Sequence, residues 1–308
     1  MLFTILIPVY NGARTIRETL DSASHQEYRD YEVLVINDGS TDDTAEIVEE
    51  YKENFSNFRM ITKENGGTAS AYDLGMREAK GEFIVYGAAD DLLLPNCLSV
   101  HAKAIQEHPD FTVFCTNGYF FNSEEGWRDI ALKGKKWHKD HEVDLRSLTE
   151  SCILSPGCAF RAADGIKVGG FTMGYLIEDY DLWLRFVLQG YRIWYTNQQI
   201  VMFRESDTQR SAAFEDMDIA RVETLKKMMA LDGTSPSDRA VIQEGIDAFI
   251  ATQQPAQDRQ RMVDQRKRLY ATVNKLPSWL RPIARLLIAV LKPLARPFRW
   301  MIASRRSK

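Results

Sequence analysis

Cysteine, long apolar runs and paired histidines are all scarce in this 308-residue chain. Its four cysteines, Cys97, Cys115, Cys152 and Cys158, show no Cys-x-x-Cys spacing. A chain of this size holds a core without disulfides, so a reducing cytoplasm is the expected setting. The longest apolar run of the C-terminal part, Leu286 to Leu291, falls far short of the ~20 residues that span a bilayer. The strand-like opening MLFTILIPVY lacks the basic region and small-residue cleavage site of a secretory leader. None of the five histidines, His25, His101, His108, His138 and His141, stands at metal spacing from another. No Gly-x-Gly-x-x-Gly follows the first apolar run, so a dinucleotide fingerprint and a P-loop are not indicated. Internal repeats and low-complexity tracts are absent too.

What is present is a hydrophobic content of 44%, enough for a full core in one α/β domain with an appendage. Charge is unevenly spread. The formal net charge is -4, yet residues 265–308 hold twelve Lys or Arg and no Asp or Glu, which leaves -16 on the remainder. An acidic body with a basic tail is the asymmetry of a chain that meets an anionic surface.

The first half alternates strand and helix signals. Apolar runs at Phe3–Ile7, Tyr31–Ile36, Phe58–Thr62 and Phe83–Tyr86 read as strands. Helical spacing occupies Ala13–Ser24, Asp43–Lys52, with Ser40 and Thr41 as caps, and Ala69–Ala79. Such alternation predicts a parallel sheet covered on both faces, with ligands beyond the carboxyl ends of its strands. Three of those ends carry polar residues: Pro8 to Asn11, Asp38, and Asp90-Asp91. They are expected to face one crevice. The second half is less regular. A polar, aromatic stretch from Asn117 to Lys139 reads as a hairpin or excursion, and Ser155–Arg161 as a loop feeding a strand. A helix is predicted over Glu178–Leu188 with Leu182, Phe186 and Val187 inward, then strands at Tyr191–Tyr195 and Ile200–Phe203. Beyond Ser211 the chain turns helical and charged, with breaks at 232–236 and near Pro255.

Two acidic clusters carry candidate chemistry. A doubled Asp at a strand exit serves either as a solvated turn or as oxygen ligands for a hard divalent cation that bridges phosphates. Glu178-Asp179-Tyr180-Asp181 opens a helix, where the dipole favours acids whether or not they do chemistry.

Three stretches taken together, "ILIPVYNGARTIRETLDSASHQEYRDYEVLVINDGSTDDT", "KENGGTASAYDLGMREAKGEFIVYGAADD" and "GGFTMGYLIEDYDLWLRFVLQGYRIWY", resemble the family 2 glycosyltransferases of the GT-A fold. The resemblance covers roughly residues 3–211, in order and at plausible separations. It implies an α/β GT-A architecture over residues 1–211, a helical extension over 212–264, and a tail over 265–308. It also implies an inverting transferase that takes a sugar from a nucleotide-sugar donor, UDP-linked by expectation, with Mg2+ or Mn2+ as cofactor.

Residue by residue, the resemblance places the nucleotide base at Pro8, Tyr10 and Asp38, with Asn11 in the same crevice loop. A Tyr face stacks on a pyrimidine, and a carboxylate accepts from its ring N–H. Gly67 lies in a loop whose backbone either approaches the nucleotide or forms a plain turn. Counted back from Pro95, the metal motif puts its second Asp on Asp90, its extra Asp on Asp91, and its first Asp on Ala88. The general base falls on Asp179, with Glu178 orienting a neighbour or capping the helix and Asp181 structural. A late metal-side His falls on Ser206, a poor substitute for an imidazole. Arg204 serves either a phosphate or a surface salt bridge.

From Leu276 to Ala303 the tail alternates a basic face, Arg281, Arg285, Lys292, Arg296 and Arg299, with an apolar one built on Trp279, Ile283, Leu287, Val290, Leu294, Phe298 and Met301. That is the pattern of a helix lying in a membrane interface, or of one docked on an acidic protein face; nucleic acid has no use for so apolar a face. Prolines at 282, 293 and 297 divide it into short pieces. The expectation is peripheral attachment to the inner face of the plasma membrane and a glycan or polyprenyl-linked acceptor. Two rival readings remain: a catalytically silent GT-A module, which Ala88 and Ser206 favour, and a nucleotidyltransferase, which lacks its Gly-rich basic loop here.

Overall fold

The computed structural model describes residues 2–122, 126–129, 139–150, 157–173, 177–204 and 214–251, of which 126–129 and 214–216 are described by backbone only. The chain divides into two compact units, Met1–Ile246 and Asp247–Lys308. Ser155, Ser206, Cys152 and the tail over 265–308 lie outside the described residues.

Among the described residues ten strands build one sheet: β1 (Phe3–Val9), β2 (Tyr31–Asn37), β3 (Phe58–Thr62), β4 (Phe83–Tyr86), β5 (Leu92–Leu93), β6 (Val113–Asn122), β7 (Gly126–Asp129), β8 (His141–Val143), β9 (Ala159–Arg161) and β10 (Ile193–Arg204). Eight helices accompany them: α1 (Ile16–Ser24), α2 (Thr44–Glu50), α3 (Thr68–Glu78), α4 (Cys97–Glu107), α5 (Leu145–Glu150), α6 (Ala162–Lys167), α7 (Glu178–Leu188) and α8 (Phe214–Ala230). A further helix occupies 236–251, with Pro236 at its first position, where a missing N–H costs nothing.

Strand order is β3-β2-β1-β4-β9-β6-β10-β5, with β7 on β6 and β8 on β10. The expected parallel arrangement holds over β3-β2-β1-β4. Beyond β4 the sheet is mixed: β9 runs antiparallel to both β4 and β6, which returns β6 and β10 to the direction of β4. The carboxyl ends of β1, β2, β4 and β10 therefore share one edge. The Asn117 excursion is a hairpin of β6 and β7.

Residues of β1 alternate between two cores, as a pleated strand dictates. Phe3, Ile5 and Ile7 join Leu20, Ile47 and Leu98 on one face, while Leu6 joins Ile36, Met76, Leu182 and Leu225 on the other. Helices α1, α2 and α4 thus cover one face and α3, α5, α7 and α8 the other. Gly75 lets α3 lie against β1: a Cβ there would sit 2.2 Å from Leu6 Cδ1. Among the described residues no helix is long and apolar enough to cross a membrane.

Several local expectations need correction. Helix α1 begins at Ile16 rather than Ala13, because Gly12 C=O accepts from both Thr15 and Ile16 N–H and closes a turn first. Ser40 and Thr41 do not cap α2; its N-cap is Asp43, without a side-chain cap bond. The two strands expected between Tyr191 and Phe203 are one strand, β10, whose irregularities at 196–201 absorb the polar residues that read as a break. Val187 packs against the core as expected, though only half-buried.

Candidate active site

The nucleotide-side expectations cluster at the ends of β1 and β2. Pro8 sits inside β1, where a missing N–H normally breaks a ladder. Leu6 C=O accepts from Gly87 toward β4 (3.0 Å), and Val9 C=O accepts from Asp38 toward β2 (2.8 Å). Alternation turns Pro8 toward β4, which has already ended at Tyr86, so no ladder bond is lost. Tyr10, next beyond the strand, is 52% exposed, which leaves its ring available to a planar ligand. Asn11 has φ 51°, a left-handed conformation that Asn tolerates. Its Oδ1 accepts from Thr41 N–H (2.8 Å) and its own N–H reaches Ser40 Oγ (3.0 Å), which is where the expected α2 caps are employed. Gly12 and Ala13 N–H groups bind Thr44 and Asp42, so the loops after β1 and β2 form one edge of the crevice.

Asp38 is 2% exposed. Its Oδ1 accepts from Lys63 Nζ at 2.7 Å and from Gly66 N–H at 3.0 Å, and its Oδ2 accepts from Gly67 N–H at 2.8 Å. The carboxylate thus folds the Asn65-Gly66-Gly67 loop onto the end of β2. Gly67, with φ 84°, takes the left-handed conformation that this hairpin-like approach to α3 requires.

Beyond β4, Asp90 is half-buried and Asp91 is 8% exposed. Asp91 Oδ1 accepts from the Arg204 backbone N–H (3.0 Å), and a hollow lined by Ile5, Ile7, Leu93 and Val201 opens beside it. Burial first, then the charge of Asp90, pushes the Asp91 carboxyl up to about 8, against the pull of Arg204. A cation beside Asp90 would relieve this like-charge pair, and carboxylate oxygens suit a hard divalent ion. Among the described residues no group of three or more His, Cys, Asp or Glu side chains surrounds a metal position. The oxygens of a bound diphosphate and water would complete such a shell. Arg204, expected at a phosphate or a surface ion pair, makes the ion pair, with Glu18; it also reaches Asp90 C=O through Nε (3.0 Å) and lies 4.6 Å over the Phe121 ring.

The second acidic pair opens α7. Glu178 is buried, and Asp179 is half-buried, with Oδ1 accepting from Tyr180 N–H at 2.8 Å. Fully buried Tyr180 and Trp183 anchor the helix, the former donating to Leu148 C=O at 2.9 Å. Asp181 is structural as expected: it pairs with Arg185 at 2.6 Å, and Arg185 also donates to the carbonyls of Val168 and Gly170. This fixes the Gly169-Gly170-Phe171 loop, whose Phe171 ring stacks on Tyr72 (4.9 Å), itself stacked on Tyr86 (4.3 Å).

That aromatic stack joins the two acidic pairs. The Tyr72 hydroxyl donates to Gly87 C=O at the β4 exit. Burial raises the Tyr72 phenol well above its ordinary value, and the charges of Glu178, Asp179 and Asp91 push the same way. Burial likewise raises Tyr86, with Tyr72, Asp179 and Glu178 adding to it. The charges of acids almost ninety residues apart in the chain are therefore felt at one phenol. Lys63, Glu18, Tyr72 and Tyr86 were not singled out by sequence reasoning. Their contacts run between distant segments, and only the loop motif around Lys63 carried a local signal.

The sequence model of the family described as "Glycosyl transferase family 2" matches residues 4–164. An uncharacterized glycosyltransferase of Rickettsia typhi is 32% identical over 219 residues, which are 68% of this chain and 65% of that protein. Glycosyltransferase GlyG of Streptococcus pneumoniae is 30% identical over 214 residues, 66% of this chain and 70% of that protein. This chain thus spans less than two thirds of the Rickettsia typhi relative it matches. Among solved structures, S. aureus TarS 1–349 in complex with UDP-GlcNAc superposes with a TM-score of 0.65 at 23% identity, over 81% of this chain and 72% of that one. Mannosyltransferase PcManGT from Pyrobaculum calidifontis, in complex with GDP-Man and Mn2+, gives 0.61 at 21% identity, over 95% and 80%. At those identities the two structures establish the GT-A architecture of the chain. The matched span of 161 residues, 4 to 164, is more than half of the 308, and the chain belongs to glycosyl transferase family 2.

Proposed function

We propose that the chain is a metal-assisted inverting glycosyltransferase that moves a sugar from a UDP-linked donor to a glycan or polyprenyl-linked acceptor in cell-surface polysaccharide synthesis. The observation that carries this reading is the packed stack of Tyr86, Tyr72 and Phe171, which ties the β4 exit, where Asp90 and Asp91 follow, to the Gly170-Phe171 loop held by Arg185 of α7. Tyr10 stacks on the base, and Asp38, through the Asn65-Gly66-Gly67 loop it holds, shapes that pocket together with Pro8, Asn11 and Gly67. Asp90, backed by Asp91, holds Mg2+ or Mn2+, which when bound neutralises charge on the departing diphosphate. Asp179 stands apart from that pair, held at the first turn of α7. Its carboxylate accepts the proton of the acceptor hydroxyl as that oxygen bonds to the anomeric carbon. The bond from that carbon to the diphosphate breaks on the opposite face, so the configuration inverts and nucleoside diphosphate leaves. Glu178, buried behind it, orients the acceptor side of the cleft.

The donor is supported by the complexes named above, one with UDP-GlcNAc and one with GDP-Man and Mn2+. The lipid-linked acceptor and a place on the inner face of the plasma membrane are supported by the basic amphipathic pattern of residues 265–308. Liposome flotation with and without those residues tests the location; equal association with anionic vesicles overturns it. A second reading, a catalytically silent module, is favoured by Ala88 where the family motif has its first Asp. Release of nucleoside diphosphate from a panel of nucleotide-sugars separates the two. The enzyme reading expects turnover with one donor class and its loss in Asp179→Asn; no turnover with any donor favours the silent module.

A further inference from the structure

Helix α1 presents one polar stripe to the segment that carries the acidic pair. Thr15 Oγ1 donates to Ala89 C=O (2.9 Å) and Thr19 Oγ1 to Asp91 C=O (2.9 Å). Ser22 Oγ accepts from Leu93 N–H (3.1 Å), and Gln26, just past the helix, donates to Leu94 C=O (3.0 Å) and accepts from Leu98 N–H (3.2 Å). Positions 15, 19, 22 and 26 are spaced by four, three and four, which is one helical face, and the groups they hold at 89, 91 and 93 are spaced by two, as in an extended chain. The carbonyl between, at Asp90, is held by Arg204, and Glu18 of the same helix holds Arg204. On the far side β5 pairs with Val201 and Met202 of β10. Backbone groups at 89, 90, 91, 93 and 94 are thus bound by side chains of α1, of its flanking residues Thr15 and Gln26, and of Arg204 in β10.

We propose that Thr15, Glu18, Thr19 and Ser22 of α1 are positioning residues that pre-form the Asp90–Asp91 pair for a divalent cation. The proposal rests on the cation reading of that pair given above. Acids carried on a short connecting segment keep fixed places only when its backbone is fixed, and the stripe supplies that restraint. Thr15, Thr19 and Ser22 touch main-chain groups and Glu18 acts through Arg204, so the set fixes where the acids stand without taking part in ligation. Outer partners of metal ligands are worth about 10- to 100-fold in affinity.

The test measures Mn2+ binding to the full chain by electron paramagnetic resonance of the free ion, with and without UDP. Thr19→Val removes one donor at nearly constant volume and is expected to weaken binding about tenfold, Thr15→Val/Thr19→Val further, and Thr19→Ser, which keeps the hydroxyl, less than twofold. Ser22→Ala provides an independent removal should the valine variants fold poorly, and is expected to weaken binding several-fold. Ser24→Ala, whose hydroxyl meets Asp21 C=O and the His25 ring rather than the 89–94 segment, serves as the control and binds as the parent does. Binding unchanged in Thr19→Val and Ser22→Ala but abolished in Asp90→Asn overturns the inference and leaves the cation reading in place. Binding equal in the parent and Asp90→Asn overturns the cation reading and the inference with it.

Discussion

Two buried aspartates stand at the exits of strands in the same sheet, and their surroundings are opposite. Asp38, after β2, has its negative charge met within the protein by Lys63 and two loop N–H groups. Asp91, after β4, receives the Arg204 backbone N–H, yet burial, and after it the charge of Asp90, raises its carboxyl to about 8. Burial alone does not make a carboxylate functional. A charge balanced from inside holds a loop; a charge left unbalanced at a cleft leaves room for a cation from outside.

The largest break in this comparison is Asp90→Asn. It removes the second charge and the proposed ligand together, and kcat is expected to fall about 10²–10³-fold, with Mn2+ dependence lost. Turnover retained at the parent's level would place the cation elsewhere. On the other side, Lys63→Met strands the Asp38 charge at a site 3% exposed and is expected to cost about 2–3 kcal/mol in a urea unfolding titration. A loss below about 0.5 kcal/mol would show that the two N–H groups suffice.

The pH dependence follows from the same contrast. Asp91 carries its proton in the folded chain up to about pH 8, whereas an unfolded aspartate releases it near 3.9. Between those values the folded state holds more protons than the unfolded one, so stability falls as pH rises. The melting temperature is expected to drop by a few degrees between pH 6 and pH 8.5. In Asp91→Asn, or with Mn2+ and UDP present, the slope flattens; an unchanged slope in Asp91→Asn contradicts the assignment. The smallest effect belongs to Tyr10→Ala, which removes an exposed ring without touching either aspartate. UDP affinity is expected to fall about tenfold, the loss of one stacking contact, with the melting temperature unmoved.

Much of this architecture was readable from residue patterns, because strands such as Tyr31–Asn37 carry an apolar run, Val33 to Ile36, and are buried on both faces. Helix α7 was placed to the residue by its acids and its apolar spacing. Where reading failed, a tertiary contact outweighed a local signal. Ser40 and Thr41 are good caps by type, yet the neighbouring loop at Asn11 claims both. The polar residues between Tyr195 and Ile200 looked like a loop, yet pairing to β6 carries the strand across them. Candidate acids were located by their resemblance to a family pattern, but what separates Asp38 from Asp91 is the identity of their neighbours. Lys63 lies 25 residues beyond Asp38 and Arg204 lies 113 beyond Asp91, and no local pattern announces either.

The central claim is that the β4 exit and the start of α7 wall a single cleft, with the cation on one wall and the proton acceptor on the other. A crystal soaked with UDP and Mn2+, read by anomalous diffraction at the manganese edge, tests it most directly. The account predicts one manganese peak at about 2.1 Å from an Asp90 oxygen, a diphosphate bridging to it, and Asp179 across the cleft outside the metal's shell. Manganese bound away from Asp90, or an Asp179 carboxylate ligating the ion, would contradict it.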